Sequence, residues 1–191
     1  IHLAWADGTK DRWSSPENLA WVGASLRLLT AFKAAGGRRA VMAGSCAEYD
    51  WTGRGIWQGA PLRPATLYGA AKAATGIAAV AGAPALGVSL AWARVFFAYG
   101  PGEPEGRLFG DILRGLAAGR EVACTDGLQR RDFLHTADIG RALVSLLVSN
   151  AEGPVNVGSG RAVPVREMIL SLARAMGGEG LIRLGARPRP A

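Results

Sequence analysis

The chain has 191 residues, 49% hydrophobic and 19% charged, a balance that suits a globular body with a sizeable core and excludes disorder as its main state. Its net charge of +7 comes from dispersed arginines; the one short cluster, Arg130-Arg131, is followed at once by Asp132, and nowhere do basic and aromatic residues interleave, so no nucleic acid is expected as a partner. No apolar run reaches the ~18 residues that cross a bilayer and no signal peptide is read, so no membrane is expected.

In chain order, IHLAW at 1–5 is a short apolar run of strand character. Ser14-Ser15-Pro16-Glu17 predicts a helix start, with serine as cap and proline in the first turn. Residues 17–35 follow at helical period, placing Leu19, Val22, Leu26, Leu29 and Phe32 on one face, and Gly36-Gly37 stops the helix. RAVMAGS at 39–45 has the composition of a buried parallel strand. The stretch 46–66, with its tryptophans, glycines and prolines, reads as a long loop of the functional kind. A helix over 67–83 and a strand over 88–97 come next. The second half is less regular: a helix at 108–118, short strands at EVACT and RDFLH, a helix at 137–149, a strand at PVNVGS and a helix at 165–176.

Strand and helix alternate, so the predicted class is α/β, a parallel sheet over 1–100 with a smaller mixed lobe over 101–191. The two cysteines, Cys46 and Cys124, lie in apolar runs far apart and read as free buried thiols of a reducing compartment, which predicts a cytoplasmic protein. The chain opens inside an apparent strand, without methionine, and stops in the loop-like ARPRPA, as a piece of a longer chain would.

Tyr68 and Lys72 stand four residues apart in the alanine-rich segment PATLYGAAKAAT, and so project from one helix face. A tyrosine is a poor acid or base at neutral pH; an ammonium beside it is expected to lower its pKa and make it a proton donor or acceptor for a carbonyl/alcohol couple. Ser45 ends a strand on the carboxyl edge where ligands bind in parallel sheets, and its hydroxyl suits the same substrate oxygen. The bare tyrosine–lysine spacing is a weak signal; the three residues together are a much more specific one.

The runs GSCAEYDW, LYGAAK, RVFFAYGPG, RDFLHTADIGRAL and PVNVGSG, in this order and spacing, resemble the extended short-chain dehydrogenase/reductases of the NAD-dependent epimerase/dehydratase family, which act on nucleotide sugars. The resemblance covers nearly the whole chain, from the fourth sheet strand of that fold onward. It implies a partial Rossmann-type parallel sheet with a small substrate-binding lobe, and NAD or NADP as cofactor. It implies Tyr68 as catalytic acid/base, Lys72 as its partner and a contact of the cofactor ribose, and Ser45 as the group that binds the reacting oxygen. Ala4 and Trp5 match the strand end that lines the cofactor. Cys46 and Phe97 fall at substrate positions, and Arg131 matches the arginine that clamps the nucleotide diphosphate, for which a bidentate guanidinium is well suited. The helices 17–35 and 67–83 resemble those that pair in a homodimer, with alanine-rich faces allowing close approach.

The departures from the family pattern are informative. Its glycine-rich phosphate loop has no counterpart, because Gly53, Gly55 and Gly59 are followed by Pro61 and Pro64 where a phosphate-binding helix should begin. Trp21 and Phe97 stand where asparagines are common. Cys46 and Ala47 stand where 4,6-dehydratases carry an Asp-Glu pair, which disfavours elimination. The remaining readings are reduction of a 4-keto-6-deoxy sugar, 4-epimerisation, and a non-catalytic piece that binds no cofactor. His135 reads as a hydrogen-bonded structural histidine, Glu48 and Asp50 as solvated by default, and Trp51 and Trp57 equally as stacking platforms or packing. His2 and Cys124 have no companions at ligand spacing, so no metal site is expected.

Overall fold

A computed structural model of the chain describes residues 1–5, 11–52 and 55–188; Gly53 of the glycine run and the end of ARPRPA lie outside the described residues. The elements are α1 (Glu17–Ala34), β1 (Arg39–Ser45), a 3-10 turn (Cys46–Glu48), α2 (Leu67–Leu86), β2 (Ser89–Val95), β3 (Phe97–Tyr99), α3 (Leu108–Ala117), β4 (Val122–Ala123), β5 (Arg130–His135), α4 (Thr136–Val148), β6 (Gly153–Val157), β7 (Ala162–Pro164), α5 (Val165–Ala175), a second 3-10 turn (Glu179–Leu181) and β8 (Ile182–Arg183).

They form two units, Ile1–Phe96 with Asp138–Val157, and Phe97–Ala137 with Gly158–Ala191. In the first, β1, β2 and β6 make a parallel sheet in the order β1-β2-β6, in which Gly44, Arg94 and Asn156 are register neighbours. The IHLAW run is not a full strand among the described residues. It meets β1 through one parallel bridge, with His2 N–H donating to Val41 O at 2.8 Å and Ala43 N–H to His2 O at 3.0 Å. The core joins Leu29 of α1, Met42, Leu90 and Trp92 of the sheet, Ala79 and Ala83 of α2, and Val88.

Helix α1 begins as expected, with Pro16 already helical at φ −58° and ψ −20° and Ser15 Oγ accepting from Glu17 N–H at 3.3 Å. Two other expectations are corrected. The buried face of α1 is Asn18, Ser25 and Leu29, while Leu19 is 61% exposed. Asn18 decides this rotation, because its amide is held by Trp5, by Arg12 O and by Ser15 O. The run 88–97 is broken at Phe96, whose N–H donates to Val157 O at 2.9 Å, and the chain leaves for the second unit as β3.

In the second unit, β5 pairs with β3 in parallel and with β7 antiparallel, and β4 pairs with β8. Ile112 and Leu116 of α3 pack with Val165, Ile169 and Ala173 of α5 and with Ile182.

Helix α2 is built of small residues because it lies close on the sheet. At Gly76 a Cβ would stand 2.5 Å from the Trp92 indole, whereas at Gly82 it meets nothing within 4 Å. The two glycines share one helix, so Gly→Ala should have opposite signs. Gly82→Ala is expected to stabilise by about 0.5–1 kcal/mol, and Gly76→Ala to destabilise by about 1–3 kcal/mol, as read by urea unfolding of each variant.

Candidate active site

Ser45 closes β1 with extended backbone, and the chain turns at once into the 3-10 turn. Ser45 Oγ accepts from Ala47 N–H at 3.2 Å, and the Glu48 carboxylate accepts from Ser45 N–H at 2.7 Å, a reciprocal capping box. Tyr68 lies in the first turn of α2, which Thr66 caps by accepting from Gly69 N–H at 3.1 Å. Tyr68 N–H donates to Trp13 O at 3.1 Å. Gly69 lets this turn close on the one that follows Ser45: a Cβ there would stand 2.3 Å from Ala47 O. The Ser45 hydroxyl thus lies near enough to the Tyr68 phenol to influence its pKa.

Burial pushes the Tyr68 phenol above its ordinary pKa; the Ser45 hydroxyl and the Arg12 guanidinium pull it down, and Cys46 and Glu48 push it up. This corrects the expectation that Lys72 lowers it. Lys72 is only 4% exposed, and its ammonium donates to Ala43 O at 2.8 Å and lies 3.8 Å from the centre of the Trp5 ring. Burial lowers its pKa to about 8, with Glu48 acting in the opposite direction. Lys72 ties α2 to β1 and remains a cation at neutral pH.

Trp5 is positioned on three sides. Its Nε1–H donates to Asn18 Oδ1 at 2.8 Å, its ring stacks on Trp21 at 6.0 Å, and Tyr68 meets it edge-on at 6.4 Å. Trp21 therefore packs on Trp5 where an asparagine was common, and Asn18, one helical turn earlier, supplies the amide that sequence reasoning missed. Ala4 is exposed beside Trp5. His2 Nε2 lies 3.2 Å from Ser25 Oγ, and burial, then Lys72, lowers its pKa.

Glu48 corrects its default reading. It is 0% exposed and accepts from Arg94 Nε at 2.7 Å and from Trp92 Nε1 at 3.0 and 3.1 Å. Asp50 accepts from Thr52 N–H at 2.9 Å and from its hydroxyl at 2.6 Å. Trp51 Nε1–H donates to Cys46 O at 3.0 Å and its ring is 39% exposed; Trp57 is 62% exposed, and Cys46 is buried. Ala4, Trp5, Ser45, Cys46, Tyr68 and Lys72 belong to the first unit and Phe97 and Arg131 to the second, where the Arg131 guanidinium lies 5.1 Å from the Phe97 ring. His135 has the expected hydrogen bond, Nδ1 accepting from Ala137 N–H at 3.2 Å, and Tyr99 packs edge-on at 5.3 Å. Among the described residues no three His, Cys, Asp or Glu side chains gather as a metal site.

The depressed Lys72 pKa fixes a sign. Between about 8 and 10 the folded chain has released this proton while the unfolded chain, with an ordinary value of 10.5, retains it, so raising the pH favours the folded state. Above about 10 the raised Tyr68 value acts the other way. From about 9 upward the Cys124 thiol, raised by burial, opposes the Lys72 effect, so urea unfolding is expected to show stability climbing between about 8 and 9, and Lys72→Met is expected to flatten the climb.

Residues 1–158 match the model of the NAD dependent epimerase/dehydratase family. The chain is 30% identical over 175 residues to a UDP-glucose 4-epimerase of Streptomyces lividans, a match covering 82% of this chain and 53% of that protein. It is 33% identical over 91 residues to a dTDP-4-dehydro-6-deoxy-D-allose reductase of a Streptomyces species, covering 45% of this chain and 28% of that protein. Among solved structures, MoeE5 in complex with UDP-glucose and NAD is similar at a TM-score of 0.83 and 32% identity, over 97% of this chain and 64% of that one. The chain spans about half the length of the epimerase. The parallel sheet of the first unit is Rossmann-type, and with the match running from Ile1 through all of that unit, the chain belongs to the NAD dependent epimerase/dehydratase family.

Proposed function

We propose that the protein is an NAD(P)-dependent oxidoreductase of nucleotide sugars that reduces a 4-keto-6-deoxy sugar. The observation that carries the reading is the half-buried Tyr68 beside Ser45 at the start of α2, on the helix whose Lys72 ammonium is held on Ala43 O of the strand that Ser45 ends. The donor set fits a nicotinamide cofactor at its ribose end: of the three Lys72 protons, one is on Ala43 O and one faces Trp5, which leaves a third for a ribose hydroxyl. Ala4 and Trp5 would line this cofactor. When bound, it supplies a hydride to the carbonyl carbon.

The chain's own residues do the rest. Ser45, whose oxygen already accepts from Ala47 N–H, turns its proton from the phenol to the carbonyl oxygen and holds it. Tyr68 delivers its proton to the same oxygen as charge develops there. The raised Tyr68 pKa supports net reduction, in which the phenol acts as an acid. Epimerisation, the second reading, first requires it to take a proton from a sugar hydroxyl, and the similarity to the 4-epimerase keeps that reading in view. Cys46 beside Ser45 fits a substrate contact. In the second unit, Arg131 braced on Phe97 suits the nucleotide diphosphate.

A homodimer through α1 and α2 is part of this proposal. Helix α2 turns Ala71, Ala79 and Ala83 to its own sheet and leaves Ala70, Ala74, Ala78 and Ala81 exposed, with Ile77 59% exposed among them. Two buried cysteines far apart in the sequence suit the cytoplasm, and no helix among the described residues is long and apolar enough to cross a membrane.

Given a 4-keto-6-deoxy nucleotide sugar and NAD(P)H, the whole protein is expected to consume absorbance at 340 nm in proportion to product, and turnover without net loss would instead establish the epimerase. Tyr68→Phe is expected to lower kcat by about 10²–10⁴-fold; full activity in that variant overturns both readings. Ile77→Glu is expected to shift the protein from dimer to monomer in light scattering.

A further inference from the structure

A carboxylate at zero exposure is costly unless every lone pair is matched, and Glu48 is matched on both oxygens. Oε1 accepts from Ser45 N–H at 2.7 Å and Trp92 Nε1 at 3.0 Å, and Oε2 accepts from Arg94 Nε at 2.7 Å. Arg94 Nη1 continues to Tyr49 Oη at 3.1 Å, and Tyr49 donates to Asn156 Oδ1 at 2.6 Å. Arg94, Trp92 and Tyr49 are 6%, 1% and 0% exposed. The chain of bonds crosses all three strands of the sheet at one level, since Gly44, Arg94 and Asn156 are register neighbours, and Ser45 sits one residue above it.

An ion pair serving stability alone needs only Trp92 and Arg94. This one also grips the backbone of Ser45. The residue before it is shaped for that grip: a Cβ at Gly44 would stand 2.4 Å from Trp92 Nε1 and 2.6 Å from Glu48 Oε1. With its N–H held by Glu48 and its oxygen accepting from Ala47, Ser45 has its backbone and its Oγ held in place, and its hydroxyl proton remains available to an acceptor. We infer that Glu48 is the positioning residue of this site: anchored by Trp92 and Arg94, its carboxylate holds the Ser45 backbone so that the Ser45 hydroxyl proton meets the reacting oxygen. The inference rests on the role proposed above for Ser45.

The test is a double-mutant cycle on the whole protein, with the keto-sugar assay as readout. Glu48→Gln sets an amide NH2 against the N–H groups of Trp92 and Arg94 and turns the side chain off Ser45. It is expected to lower kcat by about 10²-fold while KM stays within a few-fold, as a small misplacement of a reacting group does. In the Ser45→Ala background the same change is expected to cost no more than about twofold, because it acts through the hydroxyl already removed. Losses that multiply, or full activity in Glu48→Gln, overturn the inference while leaving the reading of the site intact. A Ser45→Ala variant as active as the parent overturns that reading instead, and the inference with it. Should Glu48→Gln fail to fold, Arg94→Lys loosens the same anchor with its charge kept, and enters the same cycle with the same two outcomes.

Discussion

The Glu48 carboxylate, taken wholly out of water and held by Trp92, Arg94 and the Ser45 backbone, is the interaction on which the end of the sheet depends. Removing one partner from such a buried pair costs about 3–5 kcal/mol, because the charge left behind has nowhere to go. A hydrophobic cluster of the same volume would tolerate many arrangements of neighbouring strands. Directed bonds from Glu48, in the turn that follows β1, to Arg94 on β2, and through Tyr49 to Asn156 on β6, tolerate one register. The polar network therefore selects the alignment that puts Ser45 at the edge, where the first turn of α2 can close on it.

With the sheet edge fixed, the acid/base group is positioned by packing. Gly69 admits the Ala47 carbonyl, Trp13 O takes the Tyr68 N–H, and Lys72 reaches through to Ala43 O. This closeness buries Lys72 and half-buries Tyr68, and desolvation dominates both shifts: the phenol goes up and the ammonium goes down. A tyrosine–lysine pair read along a helix suggests a direct electrostatic dialogue. Folded, the lysine faces a backbone carbonyl and an indole, and the groups that lower the phenol's pKa against burial are Ser45 and Arg12.

The sequence made the alternation of elements plain, and β1 has the expected bounds, because a run such as RAVMAGS has only one environment that suits it. Ser45, Tyr68 and Lys72 were legible through their residue types and the family spacing. Glu48 was hidden, since AEYDW reads locally as a polar turn, and the groups that bury it, Trp92 and Arg94, lie more than forty positions on. Asn18 was hidden for a related reason: the apolar period placed Leu26 and Leu29 correctly at the core, but at the first turn it pointed to Leu19 where an amide with three partners turns inward. Local apolar period loses to a buried polar group whose hydrogen bonds can be met in only one orientation.

The same network bears on which chemistry the site supports. Elimination of water from a sugar needs a proton donor and a base near the departing group, and Cys46 and Ala47 stand where dehydratases provide them. Glu48 is the next carboxylate along the chain and is a tempting substitute. Both its oxygens face inward to protein donors, and transferring a proton to it would break the pair with Arg94. Asp50, two residues on, is engaged by the Thr52 backbone and hydroxyl. The turn after Ser45 therefore holds its carboxylates in bonds to protein donors, and in the reading proposed above the acid/base work falls to Tyr68 with Ser45 beside it.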